Sequence, residues 1–132
     1  MLKILLIILS LNLFSFQSTH KILKLKEETK GKITQDFSSD YYKLTIPEDI
    51  KPSKQNLIIT ISQDEYIKKY SDPDLYISKT EEKPSFYSST WRSSKIGSDI
   101  ISINSNEVYT NETFYISVYC FEKCDYIINV FF

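Results

Sequence analysis

The side chains able to do chemistry in this chain are few. Cys120 and Cys124 are its two cysteines, His20 its one histidine and Trp91 its one tryptophan. Two thiolates with no histidine beside them cannot complete a tetrahedral zinc site. Three residues separate the cysteines, whereas the redox dithiol motif has two at a helix start. In an oxidising compartment the default is a structural disulfide. The pair lies between two alternating apolar runs, so a hairpin with a three-residue loop would set the sulfurs opposite each other. Closing so short a loop contributes about 2 kcal/mol on chain-entropy grounds, and its main effect would be to fix the register of the last two strands.

His20 sits where an N-terminal targeting segment would be cut, far from the rigid setting that a Ser–His or Cys–His nucleophile requires. There is no Gly-rich phosphate loop and no H-E-x-x-H motif. These residues point away from an enzyme and imply no organic cofactor.

Asp72 and Asp74 flank Pro73 at the entry to a strand. They make no ready-made acid/base dyad. They could bind calcium if loop carbonyls and a further acid, such as Asp64, Glu65 or Asp99, converged there. The simpler role is to cap turns by accepting bonds from downstream backbone N–H groups. Trp91, within "SSTWRSSK", could be a ligand platform with Arg92 stacked nearby. More often such a residue fills a core or its edge. Tyr115 and Tyr119 alternate with Ile116 and Val118, and Tyr76 lies between Leu75 and Ile77. If the two segments are neighbours in one sheet, the three phenols form an outward stripe. Their rings offer stacking area and their hydroxyls hydrogen bonds. If the faces are reversed, the rings are core. Asn111-Glu112-Thr113 is the single N-x-[ST] sequon, an acceptor for glycan on a secreted protein.

The elements that must position these residues read as strands. The chain has 132 residues, one domain's worth. Residues 1–19 read as a signal-peptide helix: Lys3, an apolar run from Ile4 to Phe16, then Ser18 and Thr19. The run is shorter than the ~20 residues of a bilayer span, although an uncleaved anchor is the alternative. Removing residues 1–19 takes away Lys3 and no acid, moving the formal charge from −1 to −2. So nearly neutral a domain has no strong pull on nucleic acid or on anionic membrane surfaces.

Residues 20–132 then form the domain. Tyr42, Leu44 and Ile46 alternate with polar partners until Pro47. Leu57, Ile59 and Ile61 alternate with Ile58, Thr60 and Ser62; Leu75 and Ile77, Ile101 and Ile103, Phe114 to Cys120, and Tyr126 to Val130 are likewise spaced two apart. A period of two puts each set on one face of a sheet. Further strands are expected near Ile22–Lys26 and Lys32–Thr34. "QDEYIKKY", Gln63 to Tyr70, reads as a loop or a single helical turn. The spacing predicts an all-β, antiparallel, jelly-roll-like sandwich of about seven to nine strands.

Taken together, "GKITQDFSSDYYKLTIP", "NLIITIS", "DPDLYIS", "WRSSKIGSDIISI" and "TFYISVYCFEKCDYIINVFF" resemble the bacterial pre-peptidase C-terminal domain, a group that includes the collagen-binding modules of clostridial collagenases. The resemblance runs from Glu28 to Phe132 and is most specific at Asp72-x-Asp74-Leu75-Tyr76. It implies a jelly-roll-like, non-catalytic module, calcium-dependent in some collagen-binding members. This chain departs from the group in carrying no peptidase and in its cysteine pair.

The function expected is that of a secreted module binding an extracellular polysaccharide or protein surface through Tyr76, Tyr115, Tyr119 and Trp91. The alternative is a structural or assembly component of an extracellular or membrane-tethered complex with no ligand of its own.

Overall fold

The computed structural model of the protein describes residues 20–50, 54–64 and 72–132. Stretches rich in Ile, Tyr, Val and Thr, whose side chains fit a pleated surface, form nine strands among these residues. They are β1 (Lys21–Leu23), β2 (Glu28–Ile33), β3 (Ser38–Thr45), β4 (Leu57–Gln63), β5 (Pro73–Ser78), β6 (Trp91–Ser93), β7 (Asp99–Ile103), β8 (Thr113–Cys120) and β9 (Cys124–Phe131). A single 3-10 turn, Ser105–Glu107, precedes β8. The proposed signal-peptide helix and most of "QDEYIKKY" lie outside the described residues.

The strands make two facing sheets, one ordered β1-β3-β8-β5-β6 and the other β2-β9-β4-β7. The alternation read from sequence sets the interior. Leu44, Leu75, Ile77, Phe114, Ile116 and Val118 from the first sheet meet Leu57, Ile59, Ile61 and Ile128 from the second, each fully buried. Burying a side chain of this size stabilises by roughly 1.5–3 kcal/mol, and this layer of contacts holds the sandwich together.

Polar bonds also join the two sheets, among them a buried tyrosine pair. Tyr126 on β9 donates its hydroxyl to Asp40 Oδ2 at 2.6 Å. The Tyr42 hydroxyl on β3 lies 2.6 Å from the Tyr126 oxygen, and Lys21 Nζ is 3.3 Å from Asp40. With its own proton committed to Asp40, Tyr126 accepts from Tyr42. Burial first, then the bond to Asp40, pushes the Tyr126 phenol far above its ordinary range, so both phenols stay protonated and every hydroxyl is answered.

Two expectations need correction. First, not all pairing is antiparallel: β1 runs parallel to β3. Between them the chain visits the second sheet as β2, and two reversals leave β3 pointing the way of β1. Secondly, Cys120 and Cys124 are bonded, with Cα atoms 6.2 Å apart, but not across a hairpin ladder. Cys120 closes β8 in the first sheet, where it pairs with Ser38 and Pro73. Cys124 opens β9 in the second, opposite Ile33. The disulfide staples one sheet to the other and fixes no register between the two strands. Between β5 and β7 the chain adds a further short strand, β6, which pairs Ile77 with Trp91.

Candidate binding groove on the outer face of the five-stranded sheet

Alternation along three adjacent strands decides what the first sheet shows on its outer face. The register aligns Ser39, Tyr119 and Asp74 in one cross-strand row. Tyr41, Ser117, Tyr76 and Arg92 form the next, and Lys43, Tyr115 and Ser78 the third. Three phenols of the sequence reading thus share one face, and Tyr41 joins them from β3. Ser117, fully buried, sits between Tyr41 and Tyr76.

That face is not open. The segment 79–90, between β5 and β6, folds back over it as a roof. Thr90 N–H bonds to the Ile77 carbonyl at 2.9 Å. Arg92 donates from Nη1 to the Phe86 carbonyl at 2.8 Å and sets its guanidinium 4.6 Å from the Phe86 ring centre. Phe86 meets Tyr76 edge-on, with centroids 6.3 Å apart, and Tyr87 at 5.1 Å. Lys83 lies 5.2 Å over the Tyr41 ring, a favourable cation–π position. His20 hydrogen-bonds the Glu82 carbonyl and packs 5.9 Å from both Tyr41 and Tyr115.

Between roof and sheet lies a cavity of about 340 Å³. Ser39, Tyr41, Tyr76 and Tyr119 line it from the sheet, and residues 83–87 from the roof. The volume falls at the small end of ligand pockets. The lining is mainly aromatic, with hydroxyls and one ammonium.

The predicted site residues divide accordingly. Tyr76 and Tyr119 line the groove. Tyr76 is 5% exposed, because the roof covers it; it is neither open stripe nor sandwich core. Tyr115 shares the face but stands beyond the groove, between His20 and Lys43. Trp91 is elsewhere: it turns inward on β6, 5.9 Å from Phe114, and Arg92 stacks on Phe86 instead of on Trp91. Tyr41, Lys83, Phe86 and Tyr87 were not singled out. Tyr41 carried a signal, since it alternates with buried Tyr42. The roof carried none, because no period of two runs through it.

The acids at the entry to β5 each already accept a hydrogen bond, while Asp99 Oδ2 is buried without a partner among the described residues. Asp72 Oδ1 accepts the Gly97 N–H at 2.7 Å. Asp99 Oδ1 accepts from Ser93 Oγ at 2.5 Å and from Lys95 N–H at 3.0 Å. Asp74 accepts from the Tyr76 hydroxyl at 3.1 Å. Burial, together with the charges of Asp99 and Asp72, holds the Asp74 carboxyl up at about 6 despite that bond. Among the described residues no three metal-ligating side chains converge. Asn111 is exposed on the turn before β8, with a left-handed φ of 62°, and its N–H is bonded to the Ile46 carbonyl at 2.8 Å. Among the described residues no helix is long and apolar enough to cross a membrane.

The class defined by this architecture is a two-sheet, jelly-roll-like β-sandwich with a roofed aromatic groove. No family model and no curated protein matches the chain. Among solved structures it is similar to the pre-peptidase C-terminal domain of a collagenase from Bacillus anthracis, with 14% identity, a TM-score of 0.58, and coverage of 84% of this chain and 93% of that one. It is also similar to a periplasmic inhibitor of g-type lysozyme from Aeromonas hydrophila, with 12% identity, a TM-score of 0.51, and coverage of 85% and 96%. The fold is therefore that of the pre-peptidase C-terminal domain, as the sequence resemblance implied.

Proposed function

We propose that this protein is a secreted, non-catalytic module that binds an extracellular polysaccharide or protein surface through the groove under segment 79–90. One observation carries the reading: aromatic rings from two separate parts of the chain, Tyr41, Tyr76 and Tyr119 below and Phe86 and Tyr87 above, converge on one cavity. Aromatic side chains rarely gather around a surface hollow without a ligand to cover them. The two structural neighbours, a peptidase-appended domain and a lysozyme inhibitor, are in keeping with a role in binding. The disulfide is in keeping with an oxidising compartment, and residues 1–19 supply the export signal in this reading. Asn111 serves as a glycan acceptor on the side chain's exposed turn. This reading needs no calcium: Asp72 and Asp99 accept the backbone N–H groups of Gly97 and Lys95, and Asp74 accepts from the Tyr76 hydroxyl.

The test is a glycan and extracellular-matrix array probed with the purified protein and its Tyr41→Ala and Tyr119→Ala variants. Binding to an array component that both substitutions weaken, with melting temperatures preserved, is the expected result. Binding that neither substitution changes would sink the groove as the site.

A second reading, an assembly component of a surface complex, is favoured by a different feature. Phe37 and Phe121, 64% and 62% exposed, stack edge-to-face at 4.5 Å on two turns at one end of the sandwich. Phe37 holds a left-handed φ of 53°, a costly conformation for a bulky residue. A pull-down from the native source that recovers a stable hetero-complex, lost in Phe37→Ser, would support this reading over the first.

A further inference from the structure

The hydroxyls of the groove say what kind of ligand it suits. Two of those that line it are engaged: Tyr76 with Asp74 at 3.1 Å, and Ser85 with Ser88 at 3.0 Å. Those of Ser39, Tyr41, Tyr87 and Tyr119 have no hydrogen-bond partner among the described residues. Each can both donate and accept. A matching ligand carries groups that also do both, and faces that can lie on aromatic rings.

Charge narrows the choice. Lys83 is the one charged residue of the lining, and its ammonium already faces the Tyr41 ring at 5.2 Å. Asp74, on the same face, is the cross-strand partner of Tyr119 and already accepts from Tyr76. The Lys83 ammonium, the Arg92 guanidinium against Phe86 and the Asp74 carboxylate all border the hollow, so a ligand bearing net charge of either sign would meet a like charge. Desolvating it there would be unfavourable.

On this groove reading, we infer that the occupant is a neutral pyranose ring of a polysaccharide, its C–H face on the tyrosine rings and its hydroxyls on Ser39, Tyr41, Tyr87 and Tyr119. A proline-rich peptide also stacks on aromatic rings, but its prolines bring carbonyl acceptors and no donors. It would leave the acceptor half of four hydroxyls unanswered.

Calorimetric titration of the purified protein separates these ligands. The probes are neutral trisaccharides (cellotriose, chitotriose, maltotriose and mannotriose), trigalacturonate and a short polyproline peptide. At least one neutral trisaccharide should bind about tenfold more tightly than either of the others, the equivalent of one lost hydrogen bond or one unfavourable charge. Tyr119→Ala should weaken that binding by about tenfold and Tyr119→Phe, which keeps the ring, by about threefold. Failure of every neutral trisaccharide to bind overturns the inference. So does tighter binding of trigalacturonate or polyproline; if Tyr119→Ala abolishes that binding, the groove stands as the site and only the ligand class is wrong. Trisaccharide binding that survives both Tyr41→Ala and Tyr119→Ala overturns the inference and the groove together.

Discussion

Gly31 and Tyr126 are cross-strand partners on β2 and β9, and a Cβ atom at position 31 would lie 2.0 Å from Tyr126 Cζ. The tyrosine ring crosses bare backbone there to bring its hydroxyl to Asp40 and Tyr42 on the other sheet. The glycine is needed for space. Gly31→Ala should therefore displace the ring, break both bonds and cost about 3 kcal/mol in denaturant unfolding. Tyr126→Phe, which loses the hydroxyl alone, should cost about 1–2 kcal/mol. Adding Tyr126→Leu to Gly31→Ala should recover part of the loss, giving a strongly non-additive cycle; simple additivity would mean that the ring is not what position 31 must clear.

The disulfide joins β8 and β9 across the two sheets. Replacing Cys120 and Cys124 with serine should cost about 2 kcal/mol, a fall in Tm of about 10 °C for a domain of this size. A reducing agent should produce the same fall in the unmodified protein and none in the variant. Circular dichroism at rising temperature measures both.

Asp74 makes stability depend on pH with a definite sign. Its folded-state pKa, about 6, lies above the ordinary 3.8. Between those values the folded protein holds a proton that the unfolded chain has released, so stability falls as pH rises through the window and levels off above it. The contribution is complete below about pH 4 and gone above about pH 6. Asp72 and Asp99, whose charges raise Asp74, and the Tyr76 hydroxyl, which opposes them, are its named neighbours. Asp74→Asn keeps an acceptor for Tyr76 and removes the charge. It should raise Tm at pH 7 by about 2–5 °C and leave Tm at pH 4 nearly unchanged. Equal effects at both values would exclude the titration as the cause.

Asp72 tests the turn role against the calcium role. If its task is to accept the Gly97 N–H, Asp72→Asn should be tolerated and Asp72→Ala should cost about 1 kcal/mol. Millimolar calcium or EDTA should leave the melting curve where it is. A rise in Tm with calcium would reveal a folded-state site and reverse the assignment.

The fold was legible because a period of two is a local property. Leu57, Ile59 and Ile61, or Phe114, Ile116 and Val118, announce a buried face whatever their neighbours, and all six are buried. The sandwich class, the bonded cysteines and the shared face of Tyr76, Tyr115 and Tyr119 follow from such short-range patterns. The parallel β1–β3 pair and the placing of β8 and β9 in different sheets did not, since residues joined by a short loop carry no mark of which sheet each strand enters.

By itself, then, the sequence determined which residues alternate, and so which side chains share a face. Only the tertiary structure decided what covers that face. Pro84, Phe86 and Tyr87 stand in a segment with no periodicity, and their place over Tyr76 depends on partners far along the chain, among them His20, which is 62 residues from Glu82. A groove built between a strand face and a distant loop has no local signature, because its energy lies in contacts that exist only after the sheets have closed.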